Sequence, residues 1–137
     1  MTQECTIVEL LGNKGDPVRY TVTDGATIEK GTLCIISDPR TAAANTASGA
    51  FIGIAAAEKV ASDGSTSLAL YTNGIFDIWA TSGAAILAGQ YVKLSGANYV
   101  TQAGTADIEM GTVVGKALET TAAGVFEQIL VKIGGVC

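Results

Sequence analysis

The segment "ADIEM" sets Asp107 and Glu109 two residues apart. On a strand that spacing puts both carboxylates on one face, the arrangement of an acid–base pair. A solvated edge or loop is the preferred reading, because the remaining carboxylates are isolated and the chain contains no histidine. Without imidazole there is no His-based triad or dyad, no His metal ligand, and the commonest general base is missing. Cys5, Cys34 and Cys137 lack zinc-site spacing, and three thiols cannot all pair within one chain. Cys34, inside the apolar run "LCIIS", reads as a small buried hydrophobe. Cys5 and Cys137 sit near the two ends, where a disulfide or a crosslink between subunits stays open. "SDGST" (62–66) offers oxygen atoms without the order of a calcium loop, and reads as a hairpin turn. "GNKGDP" (12–17) lacks the order of a phosphate loop, and reads as an exposed turn. No catalytic residue, cofactor or metal is expected.

The charge balance excludes further classes. Eight Lys and Arg against 13 Asp and Glu give a net charge of −5, with the basic residues scattered singly. Nucleic-acid binding needs a clustered basic footprint, so no nucleic-acid partner is expected. No apolar run reaches the roughly 18–20 residues of a membrane span. The opening "MTQECTIVELLGNKGD" carries an acid before its apolar run, unlike a signal peptide, so synthesis and retention in a cytoplasm are expected. Charged residues are only 15% of the chain, against about a quarter in ordinary domains. A surface so poor in charge suits burial against another subunit or protein.

The elements that would position any site are strands. "PVRYTV" alternates Val18, Tyr20 and Val22 with Arg19 and Thr21, the period of a half-buried strand. Short runs follow at 50–56, 66–74, 75–80, 112–118 and 125–134, separated by Asp-Gly, Asn-Gly and Gly-Gly turns. No segment keeps a helical period over three turns, and "RTAAANTASGA" (40–50) holds one helical turn or a loop. One phrase occurs twice: "GATIEKGTLCIIS" (25–37) and "GAAILAGQYVKLS" (83–95). Downstream, Gly53 falls on Gly115, Ala56 near Leu118 and Leu70 near Leu130, with an offset that drifts as expected if loops differ while strands are kept. The spacing predicts pseudo-repeats at 25–74 and 83–135, packed face to face or closed into a small barrel that leaves no exposed edge. The repeated phrase is then the entry corner of each half.

The first phrase resembles the corner of biotinyl and lipoyl carrier domains, which present a modified lysine in a hairpin. Lys59 lies too far beyond Gly31 for that role, and the second copy places a residue near Thr120 there, so the shared feature is geometry. Among the aromatics, Trp79 closes "IFDIWA" just before the linker. It reads either as core packing at the junction of the halves or, with Phe76, as an anchor at a subunit interface.

Taken in order, "GDPVRYTV", "FIGIAAAEKVASDGST", "YTNGIFD", the paired corners and "MGTVVGKALET" resemble the small capsid decoration (cement) proteins of tailed viruses, of the lambda head-decoration type. The similarity covers roughly residues 15–135. It implies a compact, mostly β domain with little helix, spanning 18–137, and a structural role in the virion. It also implies binding to the outer surface of an icosahedral head, bridging of major capsid subunits, and a homotrimer on the capsid. The alternative is a virion-surface β module for a host glycan or receptor. Residues 1–17 form an N-terminal arm outside both repeats, in which Thr6, Ile7, Val8, Glu9, Leu10 and Leu11 are apolar enough to want a partner. That strand either adds to a capsid subunit or a neighbouring copy, or folds onto its own barrel.

Overall fold

A computed structural model of the chain describes residues 4–9, 17–47, 49–81, 83 and 85–134. A short strand β1 (Thr6–Glu9) opens the described chain. Strands β2 (Val18–Thr21), β3 (Leu33–Asp38), β4 (Thr41–Ala44), β5 (Phe51–Ala55) and β6 (Ser67–Tyr71) close into a barrel in the order β2-β4-β3-β5-β6. The rest are β7 (Gly74–Thr81), β8 (Tyr91–Leu94), β9 (Tyr99–Gln102), β10 (Val113–Ala117) and β11 (Phe126–Ile133), with one helix, α1 (Thr105–Met110). They run β7-β11-β10-β8-β9, and pairing of β9 with β7 closes this ring too. The protein is mostly β with little helix, the class its composition and turns predict.

The two barrels share one connectivity. In each, the first strand pairs in parallel with the third, Thr21 with Thr41 and Trp79 with Tyr99, while every other pairing is antiparallel. The repeated phrase occupies the same place in both. Ile28 bridges Lys59 and Ile86 bridges Thr121. The amides of Gly31 and Gly89 donate to the carbonyls of Ala55 and Ala117. Both glycines have φ near the left-handed region, 90° and 96°, which a side chain would strain. The drift in offset also has a cause, since α1 lengthens the connection from β9 to β10 relative to that from β4 to β5. Each half closes by itself instead of sharing one barrel. Each unit also begins a strand earlier than the repeat boundaries 25–74 and 83–135, at β2 and β7.

Strand alternation fills the interiors. On β7, Phe76, Ile78 and Ala80 point inward and are fully buried, while Ile75, Asp77 and Trp79 are half-buried on the other face. The larger apolar cluster belongs mainly to the second barrel but takes in Leu33 and Ile54 of the first. Polar bonds reinforce this junction. Asn98 Oδ1 accepts the Leu33 amide at 3.0 Å, and Asn45 Nδ2 donates to the Gly96 carbonyl at 2.7 Å. Buried amides with satisfied geometry of this kind fix one arrangement.

Gly53 and Gly115 mark close strand crossings. A methyl on Gly53 would lie 2.7 Å from the Tyr71 carbonyl oxygen, and one on Gly115 would collide with the Lys132 carbonyl. Gly53→Ala and Gly115→Ala should each cost about 2–4 kcal/mol in denaturant unfolding, through backbone overpacking. Gly25→Ala, where a methyl meets open space, should stay within about 0.5 kcal/mol.

Candidate interaction surface

The groups with chemical potential are engaged by the fold. Asp107 and Glu109 lie on α1, where residues two apart do not share a face. Asp107 accepts the Gly104 amide at 2.7 Å and pairs with Lys93 at 3.2 Å. The Gly104 amide, with Lys93 and Thr112, holds its carboxyl below the usual range. Cys5 and Cys34 are free and buried. Burial pushes the Cys34 thiol up to about 12 and the Cys5 thiol well above its ordinary value, so neither supplies a thiolate near neutral pH. Cys137 lies outside the described residues, as do residues 12–16 of "GNKGDP". Among the described residues, no group of acids and cysteines is placed to hold a metal.

Among the described residues, Lys59 is the most deeply buried charge, at 1% exposure. Its Nζ donates to the carbonyls of Asp24 (2.7 Å) and Val60 (2.8 Å) and to Asp63 Oδ1 (2.8 Å). The hairpin turn around Asp63-Gly64 is therefore a cap that satisfies a buried ammonium. In the second barrel the equivalent residue is Thr121, whose buried hydroxyl has no hydrogen-bond partner among the described residues. The first barrel's corner is locked by charge, and the second's is not.

What the fold does present is aromatic. Barrel closure sets Tyr99 of β9 beside Trp79 of β7, and β11 brings Phe126 opposite Thr81. Trp79 and Phe126 stack at 4.7 Å between ring centroids, and Tyr99 meets Phe126 edge-on at 5.2 Å. Phe126 is 48% exposed. The interface reading divides here. Phe76 is fully buried in the core and offers nothing to a partner, whereas Trp79 lies on the outer face. Strand alternation carries that signal, since residues three apart on a strand face opposite ways. Tyr99 and Phe126 are distant in sequence and meet only through barrel closure.

The arm residues also have a place. Thr6–Glu9 pairs antiparallel with β7, Thr6 against Asp77 and Ile7 against Phe76. Cys5 donates its amide to the Gly31 carbonyl at 2.7 Å and joins the core. Thr6–Glu9 therefore lies on the chain's own sheet. Thr6, Ile7 and Val8 still expose side chains, while Leu10 and Leu11 lie outside the described residues.

A family model described as phage cement protein matches residues 12–133. The chain belongs to the phage cement protein family, and its role is structural, as a capsid-associated component of the virion. No curated protein matches the chain.

The charge lock yields a pH dependence. Hydrogen bonds from Lys59 and from the Ser65 amide hold the Asp63 carboxyl down at about 2, against an ordinary value of about 4. Because the folded value is depressed, this stabilisation is fully present above about pH 4 and is lost as pH falls toward 2. Melting temperatures between pH 5 and 2 should therefore fall more steeply for the wild type than for Asp63→Asn. Parallel curves would remove the lock from the account.

Proposed function

We propose that this cement protein binds the outer surface of an icosahedral head and stabilises the shell by bridging major capsid subunits. It acts there as a homotrimer, after synthesis in the host cytoplasm. The aromatic cluster of Trp79, Tyr99 and Phe126 is the observation that carries the reading. Large rings fixed by one another on rigid strands lose little entropy on binding and supply the anchors typical of protein interfaces. This cluster is the contact between copies. The outer edge and exposed side chains of β1 (Thr6, Ile7 and Val8) add contact with a neighbouring copy. A glycan-binding module wants a free ring face flanked by hydrogen-bonding groups, whereas Trp79 and Phe126 cover one another.

Stabilisation follows from linkage. A ligand that binds only the assembled lattice stabilises it by about 2.7 kcal/mol per site when its concentration is a hundred times Kd, and the sites sum.

Heads prepared without the protein should take up the chain and then release their DNA at a higher temperature. The double variant Trp79→Ala/Phe126→Ala should keep its cooperative thermal transition, because both rings lie outside the core, while head binding weakens tenfold or more. Failure of the wild-type chain to bind heads would sink the reading. Unchanged binding by the double variant would remove the aromatic cluster from it.

A further inference from the structure

The two barrels provide an internal comparison. Their connectivity is the same, so a difference between equivalent surfaces is not demanded by the fold. At the corner of the first barrel, the connections 23–32 and 56–65 carry Asp24, Glu29, Lys30, Glu58, Lys59 and Asp63. At the corner of the second, the connection 81–90 carries no charged residue and 118–126 carries only Glu119. The Ile28–Lys59 and Ile86–Thr121 bridges put these pairs of connections in the same place on each barrel. Where the first barrel has Glu29 and Lys30, the second has Leu87 and Ala88. Leu87 is 51% exposed, and Leu118 and Val125 are also exposed, on the connection 118–126.

We propose that this uncharged corner of the second barrel is the end that seats on the head, with the charged corner of the first barrel pointing to solvent. The inference rests on the capsid-binding function above and adds the polarity of attachment. Copies arranged around an axis normal to a shell present the same end to it. Burying the first corner would strip water from the charged side chains it exposes, which is unfavourable. Burying the second removes apolar side chains from water, which is favourable. The corner is also continuous with the aromatic contact, because Val125 directly precedes Phe126. Its occupant is therefore an apolar, weakly charged patch on the outer face of the shell.

The test transfers charge between corners. Leu87→Glu/Ala88→Lys gives the second corner the residues of the first without changing net charge, and Ala123→Glu places one charge in the exposed turn opposite. The control, Glu29→Leu/Lys30→Ala, makes the reverse exchange. Each is checked for an unchanged melting transition, for oligomeric state by light scattering, and for co-sedimentation with heads lacking the protein. At least one second-corner variant that melts normally should bind heads at least tenfold more weakly, with the control at wild-type affinity. Wild-type binding by every second-corner variant that melts normally overturns the polarity while leaving the function intact. So does loss of binding in the control, or loss of self-association with head binding retained, which would make the corner a contact between copies. Absence of binding by the wild-type chain overturns the function and the polarity together.

Discussion

A strand has two hydrogen-bonding edges, and β7 uses both. One edge pairs with β11 over all eight residues. The other is divided, with β1 held at Ile75–Asp77 and β9 at Trp79–Ala80. The β9 half closes the second barrel, and the β1 half anchors the N-terminal segment to it. The same pairings collect the aromatic rings, since Tyr99 and Phe126 reach Trp79 only through the strands that flank β7. Fold closure, docking of the N-terminal strand and the aromatic cluster thus share one set of backbone hydrogen bonds.

The barrels show what duplication keeps and what it leaves free. The bridge residue Ile28/Ile86, the left-handed glycines Gly31/Gly89 and the crossing glycines Gly53/Gly115 are all retained, because each meets a backbone that leaves little choice. Surfaces diverge instead. At the corner, a buried ammonium capped by carbonyls and a carboxylate stands opposite a threonine. On the side, Thr21 and Thr41 of the first barrel stand where Trp79 and Tyr99 stand in the second. The core is held fixed while what each barrel displays varies.

For a cement protein the balance suits the task. Under the function proposed above, stabilising a shell by occupancy needs a body that does not deform on binding, because flexibility would be charged against affinity. Closed barrels without ragged edges, joined through a shared core and buried asparagines, supply that rigidity. Surface area that carries little charge can then be covered without large desolvation costs.

Much was legible in the sequence, for local reasons. Alternation, Gly-containing turns and the doubled phrase specified a β protein in two related halves, and the missing histidine with the scattered charges turned attention from chemistry to contact. Strand alternation alone also set Phe76 and Trp79 on opposite faces. That each repeat starts with the strand before its doubled phrase was not legible, because "PVRYT" and "GIFDIWAT" share a pattern of alternation but almost no residues. Nor was the aromatic surface, whose members stand at 79, 99 and 126. Alternation states which way a side chain faces but not which strand will lie beside it. That is decided by barrel closure, where pairing between residues distant in the chain satisfies the backbone and so chooses the neighbours.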